Sequence, residues 1–202
     1  DADENGIGVT LVGVNGRLNL SSVTVSEVVT DLTATTEFSS GVTIIDGNDS
    51  VGRTLTGSAN NDNLSGLGGD DTFIMGGGDD VLVGGAGNDT FKIAASSDIS
   101  NGIDLSGGPG TADTLTVSSK SVSALNFPSE NTFMATLETF NITGGSDSGV
   151  AVSIGSNAFD NSPSFTTLTA DGTSDSLSVF SEFGDSGVDL RDITLTDVET
   201  VS

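Results

Sequence analysis

Short apolar runs set among small polar residues dominate this chain. Gly41 to Ile45, Leu115 to Val117, Gly149 to Ile154, Phe165 to Thr169 and Val188 to Leu195 each gather Val, Ile, Leu, Phe or Thr over a few positions. Gly, Asn, Asp and Ser, the residues of turns, stand between such runs. That spacing predicts many short, half-buried β-strands. The stretch from Val25 to Glu37 reads equally as strand or short helix, and Ser156 to Asp160 as a short helix at most. Loops are expected at Asn126 to Asn131 and at Asn157 to Ser164, around isolated prolines.

In the middle of the chain the pattern becomes periodic. From Gly57 to Lys92 it divides into four nonapeptides, GSANNDNLS, GLGGDDTFI, MGGGDDVLV and GGAGNDTFK. Position six is always aspartate: Asp62, Asp71, Asp80 and Asp89. Position eight is always large and apolar: Leu64, Phe73, Leu82 and Phe91, with Leu55 one step earlier. Arg53 stands where the preceding aspartate belongs, so that unit is degenerate. A flexible glycine-rich linker has no reason to keep an apolar residue at every ninth position.

The spacing has a geometric reading. Early glycines permit a tight turn, and the last three residues make a very short strand whose middle side chain points inward. Two units then form one coil, placing Asp62 above Asp80 on one edge and Asp71 above Asp89 on the other. Coils stack at the spacing of paired strands, about 4.8 Å. Two bare carboxylates at that separation repel by roughly 3 kcal/mol at an effective dielectric near 20. Asp70 and Asp79, one position earlier, add to the load. Such a stack requires cations between its layers, and with one large side chain per unit the core offers little alternative support. Folding is therefore expected to be coupled to metal binding.

Composition narrows the metal and the partners. Five basic residues against 29 acidic ones give a net charge of −24. Phosphate backbones and anionic membrane surfaces repel such a chain, so neither nucleic acid nor membrane insertion is expected. Cysteine and histidine are both absent, which removes thiolate and imidazole chemistry and leaves oxygen as the metal donor. Oxygen donors suit calcium or magnesium. A glycine-rich loop for phosphate is excluded by the missing lysine and the surrounding acids. No apolar run approaches the roughly 20 residues of a membrane helix. The start, Asp1-Ala2-Asp3-Glu4, lacks the pattern of an export signal and an initiator methionine, so the chain is read as a mature chain or a piece of something larger.

The nonapeptides resemble the G-G-x-G-x-D-x-U-x units of RTX (hemolysin-type) calcium-binding proteins. The resemblance implies an all-β fold, a right-handed parallel β-helix or β-roll solenoid holding several calcium ions between turns. By that likeness the ligands are the position-six aspartates with carbonyls of Gly66 and Gly68 facing Gly85 and Gly87, and of Gly57 and Ala59 facing Gly76 and Gly78. GSANND has a single glycine and MGGGDD begins with Met75, so those edge sites are expected to be weaker. GGPGTAD, residues 107–113, looks like one further unit with an inserted residue, and Asp104 and Asp113 are assigned to its site.

The flanks repeat more loosely. TLTGSANNDNLS, 54–65, matches TLTADGTSDSLS, 167–178, while Asp113 and Asp175 open similar pentapeptides and Glu138 and Glu199 similar tags. Asp113 stands almost as far from Asp175 as Glu138 from Glu199, which suggests a long diverged unit of that length. The chain is accordingly divided into an N-terminal solenoid segment, 1–47, an RTX β-roll, 48–117, and a degenerate solenoid, 118–202. An RTX block between Ser/Thr-rich strands is similar to bacterial surface-layer proteins exported by the type I route. That likeness implies a secreted structural module on the cell surface, self-associating into a lattice, with surface polysaccharide as a further partner. The alternatives are an adhesin domain binding glycan, and the secretion appendage of a polysaccharide-active enzyme. With 29 acids some pair always falls at glycosidase spacing, and the five basic residues do not cluster, so catalysis is not expected of this chain.

Overall fold

The computed structural model describes residues 7–11, 17–19, 29–34, 41–45, 50–99, 103–117, 124–127, 132–142, 150–155, 167–170, 175–180, 194–197 and 200–201. All of its strand pairs are parallel, as coils of short runs and tight turns require. The first sheet has nine strands in the order β1 (Ile7–Leu11), β3 (Val29–Ala34), β5 (Thr54–Thr56), β7 (Thr72–Ile74), β9 (Thr90–Ile93), β11 (Thr114–Val117), β14 (Thr139–Ile142), β16 (Thr167–Ala170) and β18 (Thr194–Thr196). The second runs β2 (Arg17–Asn19), β4 (Thr43–Ile45), β6 (Asn63–Gly68), β8 (Asp80–Ala86), β10 (Ile103–Ser106) and β13 (Thr132–Ala135). A third comprises β12 (Ala124–Phe127), β15 (Ala151–Gly155), β17 (Ser176–Phe180) and β19 (Thr200–Val201). The chain is thus a parallel β-roll and β-helix solenoid, as expected.

Inward apolar side chains set the register. Leu55, Phe73 and Phe91 pair in sequence on the first sheet, and Ile44, Leu64 and Leu82 on the second, every one wholly buried. Through the nonapeptides each coil is two units long and contributes one strand to each sheet. Phe73 and Phe91 stack with centroids 4.8 Å apart and rings 14° from parallel, the separation of the coils themselves.

After Phe91 the coil widens. Its next partners on the first sheet are Leu115, Phe140, Leu168 and Leu195, each separated from the one before by more than two nonapeptides. The added length first appears as a 3₁₀ turn, Ser96–Ile99, packed against β9 and β12. Ser96 Oγ donates to the Ala124 carbonyl at 2.8 Å, seating the third sheet on that turn. The wider section fills with more apolar residues per coil, among them Leu125, Phe127, Leu137, Phe140, Ile142 and Val152. Phe127 and Phe140 meet edge to face at 6.0 Å, joining the third sheet to the first.

Several expectations are refined. Val25 to Glu37 contains a strand, Val29–Ala34. Asn126 and Phe127 belong to β12, not to a loop, because Phe127 is a wholly buried core residue. The long offset shared by the flanking acids is not a structural period: Asp113 precedes a first-sheet strand and Asp175 a third-sheet strand. What repeats is the local strand–turn–strand unit, reused on different faces. The stretches proposed as a helix at Ser156 to Asp160 and a loop at Asn157 to Ser164 lie outside the described residues.

Candidate metal site

The edges of the roll are built by the residue at the entry to each strand. Because Thr54, Thr72, Thr90, Thr114 and Thr139 are in register, the residues before them stack: Arg53, Asp71, Asp89, Asp113 and Glu138. Each but the last donates its backbone N–H to the carboxylate one coil later. Arg53 N reaches Asp71 Oδ1 at 2.7 Å, Asp71 N reaches Asp89 Oδ1 at 2.8 Å, Asp89 N reaches Asp113 Oδ1 at 2.7 Å and Asp113 N reaches Glu138 Oε2 at 2.7 Å. On the opposite edge Val42 N donates to Asp62 Oδ1 at 2.7 Å and Asp62 N to Asp80 Oδ1 at 2.9 Å. The expected stacking of Asp62 with Asp80 and of Asp71 with Asp89 is therefore present.

The second oxygens of these aspartates point elsewhere. Asp80, Asp89 and Asp113 are at most 1 % exposed, and each has a buried Oδ2 with no hydrogen bond. A β carbon built on Gly84 would collide with Asp89 Oδ2 and with the Gly107 carbonyl. One on Gly66 would meet Asp71 Oδ2 and the Gly84 carbonyl, and one on Gly107 would meet Asp113 Oδ2 and the Thr136 carbonyl. The same cradle of carboxylate oxygen and next-coil carbonyl thus recurs three times along one edge, and only glycine leaves it open. Its donors are all oxygen, and they converge from two coils. That set fits a hard cation such as calcium, which accepts carboxylates and carbonyls together. Among the described residues no three acidic side chains converge, so carbonyls must supply much of any shell.

Burial makes these acids costly to ionise. It pushes the Asp80 carboxyl up to about 8, with the charges of Asp62, Asp98 and Asp79 adding to the effect. Asp89 is pushed up to about 6 by burial, with Asp113 and Asp70 contributing. Burial also raises Asp62, Asp98 and Asp113. A bound cation would reverse the balance by favouring the ionised form.

The turn glycines stack as the nine-residue spacing requires, though shifted by one from the expected facing pairs. Gly85 lies over the Leu67 carbonyl, Gly87 over that of Gly69, Gly76 over that of Ser58 and Gly78 over the Asn60–Asn61 peptide. Gly66 and Gly68 are buried in β6. Gly85 and Gly87 have φ of 105° and 136°, a region closed to most side chains.

Three sequence assignments need correction. Asp104 is exposed in the middle of β10, its backbone in register with Val81, because β10 alternates and the inward positions belong to Ile103 and Leu105. It does not join Asp113. Asp70 and Asp79 sit exposed on the outer rim, where position five faces water. Asp70 Oδ1 accepts the Asn88 N–H at 2.8 Å, and the Asp79 N–H goes to Asn61 Oδ1 at 3.1 Å. This outer ladder runs opposite to the inner one, from later coil to earlier.

The sequence left other members unassigned. Glu138 closes the Asp71 edge; its signal was an acid directly before a strand, as at every ladder position after Arg53. Asp175, 1 % exposed, takes the Val150 N–H at 2.6 Å in the same manner on the third sheet. Asp98, also buried, receives the Ala94 and Ala95 N–H groups at 2.7 and 2.9 Å and shapes the 3₁₀ turn. Ser58 caps Asp62 through both its N–H and its hydroxyl.

Comparison with protein families gives one match. Residues 56–91 fit the RTX calcium-binding nonapeptide repeat in four copies, the stretch that builds both edges of the roll. Comparison with curated proteins and with solved structures returned no match.

Proposed function

We propose that this chain, which carries four RTX calcium-binding nonapeptide repeats and binds several calcium ions through them, is a structural module of a secreted bacterial surface-layer protein that folds on extracellular calcium. The observation that carries the reading is a column of buried, incompletely bonded aspartates on each edge of the roll, with Asp80 on one edge and Asp89 and Asp113 on the other. Such a column folds readily only where cations are supplied. In calcium-poor cytosol the roll would stay open and pass through an export channel, and outside the cell, at the roughly millimolar calcium that extracellular modules are tuned to, it would close. Among the described residues no helix is long and apolar enough to cross a membrane. The role is structural rather than catalytic, with self-association into a lattice through the parent chain and surface polysaccharide as partner.

A second reading, a glycan-binding adhesin domain, is favoured by one surface. Thr54, Thr72, Thr90, Thr114, Thr139 and Thr167 form an unbroken column of half-exposed hydroxyls on the first sheet. Between β5 and β16, Lys92 is the one charged residue on that face among the described residues. A hydroxyl array free of acidic side chains on so acidic a chain suits an uncharged polysaccharide.

Far-ultraviolet circular dichroism during calcium titration from a chelated start, with magnesium as control, tests the first reading. A coil-to-β transition with calcium alone, followed by ordered sheets under the electron microscope, supports it. Equal β content in chelator would remove calcium as the trigger. Retention on a neutral polysaccharide resin without lattice formation would favour the adhesin.

A further inference from the structure

Arg53 occupies the ladder position at which Asp71, Asp89 and Asp113 stand in the following coils, and it is 2 % exposed. Burying a guanidinium is costly unless oxygen atoms surround it. Its backbone makes the same bond as its successors, Arg53 N to Asp71 Oδ1 at 2.7 Å. Its side chain bends back into its own turn, where Nη1 donates to the Val51 carbonyl at 3.1 Å. That carbonyl belongs to the layer that the next turn covers closely: a β carbon on Gly69 would meet both the carbonyl carbon and oxygen of Val51. A positive group therefore sits inside the stack, holding a turn carbonyl, at the level where the aspartate of a complete unit would stand.

We propose that the Arg53 guanidinium takes the place of a calcium ion at the start of the Asp71 edge. The column of acids then begins against a covalently attached cation, and the first exchangeable ion lies one coil later, between Asp71 and Asp89. This rests on the calcium reading of the roll. It gives the degenerate unit at Arg53 a role: one end of the ion series is fixed and does not depend on calcium concentration. A guanidinium suits the place better than an ammonium because its planar fork bonds several oxygens at once.

The test compares Arg53→Asp, Arg53→Met and Arg53→Lys with the parent chain, by calcium stoichiometry in equilibrium dialysis and by the calcium midpoint of the dichroism transition. Arg53→Asp is expected to bind one more ion per chain. Arg53→Met is expected to bind the parent number with a raised midpoint. A tenfold loss in the folding equilibrium, shared over cooperative uptake of several ions, moves the midpoint by only about twofold. Arg53→Lys should fall between the parent and Arg53→Met. An unchanged midpoint in Arg53→Met, or unchanged stoichiometry in a folded Arg53→Asp, overturns the proposal. If Arg53→Asp does not fold at saturating calcium, the Met and Lys midpoints decide. Failure of the calcium reading itself would look different, since the parent chain would then show no calcium transition.

Discussion

The narrow roll and the wide solenoid behind it share two sheets and differ in what holds their coils together. In the roll, a coil of two nonapeptides closes around Phe73, Leu82 or Phe91, and its edges bury Asp62, Asp71, Asp80 and Asp89. In the wide part each coil is longer by more than a quarter, and Leu115, Leu125, Phe127, Leu137, Phe140 and Ile142 fill it. On the proposed calcium reading, a short coil has too little interior to offset the desolvation of its acids and draws the remaining stability from ions. A long coil carries its own apolar core. The same backbone geometry thus serves a conditional structure and a more self-sufficient one, and coil length decides between them.

Calcium removal should break the comparison open most widely. At free calcium about 100 times Kd, each ion contributes roughly 2.7 kcal/mol. Chelation is therefore expected to abolish amide protection across residues 57–92 while strands β14 to β17 keep theirs, as read by hydrogen exchange. Equal loss in both parts would refute the distinction. Phe91→Ala comes next: removing a wholly buried ring costs about 3–5 kcal/mol. In the roll that should prevent folding at calcium levels that fold the parent chain, whereas Phe140→Ala should leave the roll's calcium midpoint nearly unchanged.

Asp89→Asn should cost about 1–3 kcal/mol through its buried bonds and raise the calcium midpoint. Asp175→Asn alters a similar bond in the wide part and should lower thermal stability without moving that midpoint. The gentlest lever is acid. The carboxyls of Asp80 and Asp89 are raised in the folded, calcium-free chain, so folding takes up protons. Their contribution is fully present below about 4, the range of an ordinary carboxylate, and is lost as pH rises through about 6 for Asp89 and about 8 for Asp80. In chelator, β content at pH 5 should therefore exceed that at pH 8.5. A flat or opposite profile would show that these groups do not limit folding.

The roll was legible in the sequence because its turn chemistry and core residues recur at a fixed interval, so that Phe73 over Phe91 and Asp71 over Asp89 follow from counting. Asp104 misled because it is an acid near the last unit; only the alternation of β10 shows that it faces outward. Asp70 and Asp79 misled because position five adjoins the ligand position yet lies on the wet side of the turn. The third sheet was invisible. It depends on the 3₁₀ turn that Asp98 organises, and a single buried carboxylate in an irregular stretch leaves no periodic signal. Glu138 shows the middle ground, with its place before a strand readable and its longer reach across a wider coil not.

The nine-stranded sheet has a mechanical consequence. The covalent chain runs around the solenoid while the bonds between coils run along it, so tension on the axis loads those bonds in series. A coil peeled from the roll frees two nonapeptides, about 60 Å of extended chain, against a rise of about 4.8 Å. The wide coil from β14 to β16 frees about 95 Å. Pulled at its ends, the molecule should lengthen in two sizes of step, and chelator should erase the shorter set. Were both sets to persist in chelator, the roll would be bearing load without its ions. Otherwise the chain acts as a tether whose stiffness is set by the calcium around it.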